Sequence, residues 1–141
     1  MPTRESTATW SGPIGDGKGT MRFGSGAFEG AYDVPSRFEN GEGTNPEELL
    51  GAAHAGCFSM QLSGLLTRAG HDVTTIDTTA AVTVEKQEAG WKITTIHLTT
   101  RGQVEGIDED TFLEFATKAK ETCPVAMALA GPEITMDATL A

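Results

Sequence analysis

Between residues 5 and 34 the chain alternates apolar and polar positions and is cut at short intervals by glycine. STATW, GTMRFG and GAFEGAYDV read as short strands separated by turns. PSRFENGEG, residues 35–43, reads as a loop with a charged centre. The pattern then changes at TNPEEL, a helix start: Asn45 suits the N-cap, Pro46 position N1, and Glu48 position N3 of a capping box. EELLGAAHAGCFSMQLSGLLTRAG runs on without a breaker to Gly70, a suitable C′ residue. The segment is about 24 residues long, or roughly 36 Å at 1.5 Å per residue. Its middle has no charge on any face, which predicts a buried central helix.

Beyond Gly70, TTIDTTAAVTVEKQ and WKITTIHLTTRGQV are rich in Thr, Val and Ile and flank EAG, so they predict a β-hairpin. DEDTFLEFATKAKETC predicts a second helix with acids in its first turn. After Cys123-Pro124 a shorter helix runs through Leu129 and stops at AGP, and EITMDATLA closes the chain as a strand. Strands, helix, hairpin, helices and strand in this order give an α+β fold, not an alternating parallel one. No repeat or linker interrupts residues 1–141, which read as one domain.

A chain of 141 residues buries about two-thirds of its unfolded surface and needs no disulfide staple. The formal net charge of −10 repels phosphate backbones and anionic lipid, so neither nucleic acid nor a membrane is an expected partner. No apolar run approaches the roughly 20 residues of a membrane span. MPTRESTATW has no apolar h-region, so no secretory signal is expected and the predicted compartment is the reducing cytoplasm. Two cysteines in that compartment are inert or redox-active, not a structural framework.

The candidate chemistry lies on the central helix and at the Cys-Pro pair. Glu47, Leu50, His54, Cys57 and Gln61 follow 3-4-3-4 spacing and share one stripe. Singly, Glu47 reads as a solvated N-terminal acid, His54 as a hydrogen-bonded core residue and Cys57 as a small hydrophobe. Together on a buried helix they point to function. A buried carboxylate needs a cation or several donors, and Arg37 lies in the loop immediately upstream. The small residues of GAAHAG allow close backbone approach, either between two copies of the helix or against the chain's own sheet. At Cys123, an N-cap cysteine with Pro124 at N1 aims sulfur at free N–H groups and the positive dipole end, which favours thiolate; the plainer reading is that Cys123 only ends one helix. Cys57, mid-helix, needs a neighbouring cation for the same effect. GPIGDGKG nearly spells a phosphate loop, but Gly19 stands where Ser or Thr is required and no apolar helix follows.

These stretches resemble the osmotically inducible protein C family, OsmC, sister to the organic hydroperoxide resistance proteins. The likeness is densest over SRFENGEGTNPEELLGAAHAGCFSM, residues 36–60, and resumes at KAKETCPVAMAL. AHAGCF and the RF before the helix look like the OsmC branch; the sister branch usually has tyrosine where His54 stands and takes its arginine from nearer the N-terminus. Gly56 is often alanine in relatives.

The resemblance implies a thiol-dependent peroxidase in an intertwined homodimer with active sites at the subunit interface. It puts Cys57 at the peroxidatic cysteine, Cys123 at the resolving one, Arg37 at the activating arginine and Glu47 at the glutamate that holds it. No cofactor is expected, only an external dithiol reductant, for which the family suggests the dihydrolipoyl type. Leu50, Phe58, Met60 and Leu62, with Phe38 beside Arg37, predict an apolar mouth that favours organic hydroperoxides over hydrogen peroxide. The competing readings are a stress-associated binding protein with inert thiols, and a Cys/His metal-binding protein built on His54, Cys57 and Cys123.

Overall fold

Three short antiparallel strands open the chain in the order β1 (Ser6–Ser11), β2 (Lys18–Phe23) and β3 (Glu29–Tyr32). The computed structural model describes every residue, Met1–Ala141. These strands are the ones the glycine-punctuated alternation predicts, and GPIGDGKG is indeed the β1–β2 connection. Trp10 and Tyr32 pack with ring centroids 5.6 Å apart. Gly19 sits under them, where a Cβ would come within 2.4 Å of the Tyr32 ring.

The expected loop at 35–43 begins instead with a single helical turn, α1 (Val34–Phe38). Asp33 caps it: its Oδ1 accepts from the Ser36 amide at 2.8 Å, and the Asp33 amide donates to Ser36 Oγ at 2.9 Å. This is a capping box with serine at N3, and a five-residue helix is too short to show a 3.6-residue period.

Helix α2 (Pro46–Arg68) starts where predicted, with Asn45 Oδ1 accepting from the Glu48 amide at 2.8 Å. The Glu48 carboxylate does not close the box; it accepts from Thr44 Oγ1 at 2.8 Å. The helix ends in a Schellman motif: the His71 amide donates to the Leu66 carbonyl and the Gly70 amide to the Thr67 carbonyl, both at 3.0 Å, with Gly70 at φ +89°. Its burial differs from expectation. His54, Phe58, Leu62 and Leu66 are fully buried, but Ala52, Ala53 and Gly56 are exposed and Met60 is 81% exposed. Absence of charge predicted burial on all sides, whereas one chain supplies packing for one face only. By length and composition α2 also satisfies what crossing a membrane requires, contrary to the reading of the sequence. Phe58, Leu62 and Leu66 nevertheless belong to the protein core.

That core closes under a second sheet of order β4 (Asp72–Gln87), β5 (Gly90–Glu105), β6 (Glu133–Leu140). β4 and β5 form the predicted hairpin, turning between Gln87 and Gly90. β6 pairs with β5 in parallel, and the crossover between them carries α3 (Glu109–Thr122) and α4 (Pro124–Ala128). Ile96, Leu98 and Val104 of β5 meet Phe112, Ala116 and Ala119 of α3, the i, i+4, i+7 face of that helix. Gly102 leaves room for Phe112, whose ring lies 2.4 Å from where a Cβ would be. The chain divides into two compact units, Met1–Leu49 and Leu50–Ala141.

Candidate active site

The two cysteines, 66 positions apart, meet in the second unit. Cys57 is half-buried on α2, and Cys123 is buried where α3 ends and α4 begins. Both are free thiols, with the Cys123 thiol donating to Cys57 Sγ across 2.9 Å. A disulfide bond is about 2.05 Å long, so closure needs less than about 1 Å of sulfur movement.

Cys123 is the N-cap of α4 and Pro124 opens the helix, as the sequence indicates, but its sulfur makes no capping hydrogen bond. The expected shift toward thiolate is reversed. Burial pushes the Cys123 thiol up, and its hydrogen bond to Cys57 adds to this; the Ala126 and Val125 amides pull the other way and lose. Desolvation of the buried sulfur outweighs the pull of the helix end.

The position of Cys123 is fixed on both sides. Its amide donates to the Ala119 carbonyl at 2.9 Å, and its carbonyl accepts from the Met127 amide at 3.0 Å. Thr122, a residue that sequence reading did not single out, donates its hydroxyl to the Lys118 carbonyl at 2.7 Å. The same oxygen accepts from Gln61 Nε2 at 2.9 Å. Gln61 is the last member of the polar stripe, one turn beyond Cys57.

Arg37 and Glu47 meet in the first unit. Arg37 Nη2 donates to Glu47 Oε1 at 2.8 Å, and Nε lies 3.2 Å from Oε2 and 3.3 Å from Oε1. This is the two-pronged pairing that fixes a guanidinium plane. Glu47 is 6% exposed, so its charge is compensated by the pair. Arg37 stands on α1 and not in a loop. Ser36 Oγ donates to the Thr44 carbonyl at 2.9 Å and Asn45 Nδ2 donates to the Ser36 carbonyl at 3.1 Å, tying α1 to the start of α2. The guanidinium carbon lies 5.1 Å from the centre of the Phe38 ring.

The apolar mouth expected on α2 is not there, because Phe58 and Leu62 are fully buried in the core. The apolar space next to Arg37 is a cavity of about 180 Å³ within the first unit, walled by Trp10, Ile14, Tyr32, Val34 and Phe38. Trp10, Tyr32 and Ile14 lie on or between the first strands, and nothing in their local pattern linked them to Arg37.

His54 is fully buried and neither ring nitrogen has a hydrogen-bond partner. It is not the hydrogen-bonded core histidine of the plain sequence reading. Burial lowers its pKa and keeps the ring neutral. No three His, Cys, Asp or Glu side chains gather as a metal-ligating group.

Comparison with known proteins bears on the family and the fold. Peroxiredoxin OsmC of Escherichia coli (strain K12) is 49% identical over 135 residues, which cover 95% of this chain and 94% of that protein. The crystal structure of an organic hydroperoxide resistance protein OsmC from Legionella pneumophila superposes with a TM-score of 0.78 at 20% identity, covering 96% of each chain. OhrB of Bacillus subtilis superposes with a TM-score of 0.73 at 22% identity over 97% of this chain and 98% of its own. These two likenesses place the fold, α+β with two three-stranded sheets and four helices. The model of the OsmC-like protein family matches residues 39–138, from the end of α1 into β6, and with the 49% identity along nearly the whole chain it makes this protein a member of the OsmC-like family.

Proposed function

We propose that this protein is a thiol-dependent peroxidase that reduces organic hydroperoxides, with Cys57 as nucleophile and Cys123 as resolving thiol. The observation that carries the reading is the pair of free sulfurs 2.9 Å apart, one half-buried and one buried. Its relative from E. coli bears the name peroxiredoxin, and the neighbours from L. pneumophila and B. subtilis bear the name organic hydroperoxide resistance protein. In the first step the Cys57 thiolate attacks the terminal oxygen of ROOH, the O–O bond breaks, Cys57 becomes a sulfenic acid, and RO⁻ leaves and takes a proton from solvent. In the second, Cys123 attacks the sulfenic sulfur, the S–O bond breaks, and water leaves with the thiol proton. A dithiol, of the dihydrolipoyl type in our proposal, then reduces the disulfide.

Arg37 is the residue we assign to activating Cys57, and Glu47 the one that holds it. The support is the fork between them and the family membership. The apolar walls of the cavity beside Arg37 suit an alkyl or aryl group, at about 0.8 kcal/mol per buried CH₂. The exposed small-residue face of α2, Ala52, Ala53 and Gly56, is the face we assign to a second copy in a homodimer, working in the cytoplasm.

The inert-thiol reading has less support because inert thiols have no reason to meet. The metal reading lacks a third ligand at the thiol pair. Mapping the oxidised protein by mass spectrometry tests the proposal. One equivalent of cumene hydroperoxide should yield a Cys57–Cys123 disulfide that dihydrolipoamide reverses. Oxidation without that disulfide contradicts it. A kcat/KM for hydrogen peroxide equal to that for cumene hydroperoxide removes the substrate assignment.

A further inference from the structure

Gln61 is the only polar side chain of the α2 stripe, apart from the neutral His54, to which neither the peroxidase chemistry nor the ion pair gives a role. Its amide crosses from α2 to the end of α3, a separation of 61 residues, and meets Thr122, the residue before Cys123. Two consecutive residues of the α3–α4 junction thus touch α2 one helical turn apart: Thr122 at Gln61 and Cys123 at Cys57.

The orientation of the amide follows from the donors available. The Thr122 hydroxyl hydrogen goes to the Lys118 carbonyl at 2.7 Å, so its oxygen can only accept. Gln61 must therefore present its NH₂ and not its carbonyl. The chain Gln61 N–H, Thr122 O–H, Lys118 C=O runs in one direction, and Lys118 sits one turn before the end of α3. Gln61 thereby bonds the last residue of α3, immediately before the Cys123 backbone turns into α4.

The backbone at this junction sets where the Cys123 sulfur lies relative to Cys57. Cys123 leaves α3 through an extended backbone, φ −62° and ψ 125°, and α4 is only five residues long. The Thr122 contact adds a side-chain tie to α2 beside the restraints already there, the Cys123 backbone bonds to Ala119 and Met127 and the burial of Cys123 and Ala126.

We propose that Gln61 is a positioning residue for the disulfide step: through Thr122 it holds Cys123 against Cys57 and so sets the effective concentration of one thiol at the other. The proposal rests on the peroxidase reading only for its physiological use, since the effective concentration is a property of the thiol pair whatever oxidises it. The tether acts after peroxide attack, so it governs how often the Cys57 sulfenic acid is captured by Cys123 before a second peroxide carries it to sulfinic acid.

The test uses full-length Gln61→Met, Thr122→Val, the double variant and Thr122→Ser. Gln61→Met keeps length and removes the donor; Thr122→Val keeps shape and removes the acceptor; Thr122→Ser keeps the acceptor. The first measurement equilibrates each protein with reduced and oxidised glutathione. Each of the first two substitutions is expected to lower the effective concentration about tenfold, equivalent to about 30 mV for a two-electron couple. The double variant should fall no further than either single one, and Thr122→Ser should match the parent. The second measurement follows peroxide oxidation: sulfenic acid forms at the parental rate in every variant, while sulfinic acid at Cys57 rises about tenfold in the tether variants. Melting temperatures identify any variant that fails to fold, and for such a position the remaining single variant with Thr122→Ser decides. An unchanged glutathione equilibrium in Gln61→Met and Thr122→Val overturns the proposal. Additive losses in the double variant also overturn it, because they show two independent packing defects. If the glutathione equilibrium responds as expected but peroxide forms no sulfenic acid in the parent, the tether stands and the peroxidase reading falls.

Discussion

Replacing His54 by leucine is expected to stabilise the protein and to flatten its stability on the acid side of neutrality. His54 is fully buried and both ring nitrogens lack partners. Leaving a buried polar group unpaired costs about 1–3 kcal/mol, and a leucine of similar bulk has no such group to satisfy. Leucine also favours helix by a few tenths of a kcal/mol over histidine. We therefore expect a gain of about 1–3 kcal/mol in neutral solution, reduced if the branched side chain overpacks. The pH effect has a definite sign. Burial lowers the pKa of His54 below its ordinary 6.5, so the unfolded chain takes up the proton first. Stability is then lost as pH falls through 6.5 and goes on falling until the folded histidine also titrates. Between about pH 7.5 and about pH 5.5 the unfolded histidine gains up to ~1.4 kcal/mol from this proton, which is RT ln 10. Carboxylates titrate in both proteins, so the difference between parent and variant isolates His54. The assay is urea unfolding of both proteins at the two pH values and one protein concentration. Equal losses of stability in parent and variant over that interval refute the reasoning. So does a variant that is less stable by more than about 1 kcal/mol near neutrality, because the histidine would then be making a bond that its surroundings do not offer.

Arg37→Ala should slow sulfenic-acid formation at least about tenfold, or about 1.4 kcal/mol of barrier, and Arg37→Lys should not restore it, because lysine keeps charge but loses the fork on Glu47; stopped-flow oxidation in a Cys123→Ser background reads both. Gly102→Ala puts a Cβ 2.4 Å from the Phe112 ring and is expected to cost about 1–3 kcal/mol of stability by overpacking, visible as a lowered melting temperature. Since burial pushes the Cys123 thiol up, iodoacetamide near neutral pH should modify Cys57 first, with labelling of Cys123 rising only in alkaline solution; Cys123 reacting first would contradict the burial argument.

What the sequence makes legible here is whatever is local and periodic. The start of α2 at Asn45-Pro46, its Gly70 stop, the β4–β5 hairpin around EAG and the acids in the first turn of α3 are set by neighbours within a few positions, and each lies where expected. Helix α1 escapes because its signal is one aspartate and one serine in a proline-bearing stretch with no repeat to reinforce it. The uneven burial of α2 escapes because composition tells which faces lack charge, not how many neighbours one chain can bring. The ionisation of Cys123 escapes for a related reason: its cap position is visible in Cys-Pro, but its desolvation comes from tertiary packing. The Arg37–Glu47 fork is legible as a need, a buried acid requiring a cation. The Gln61–Thr122 contact spans 61 positions, and only the stripe on α2 hinted that Gln61 faced anything.

The central claim, that Cys57 is the nucleophile and Cys123 its resolver, is tested most directly by counting peroxide consumed per chain without reductant. The parent should consume one equivalent of cumene hydroperoxide and lose two thiols. Cys123→Ser should also consume one equivalent at first, holding a sulfenic acid at Cys57 that dimedone traps. Cys57→Ser should consume none and keep its remaining thiol. Stoichiometric consumption by Cys57→Ser, with Cys123 oxidised in its place, would contradict the claim.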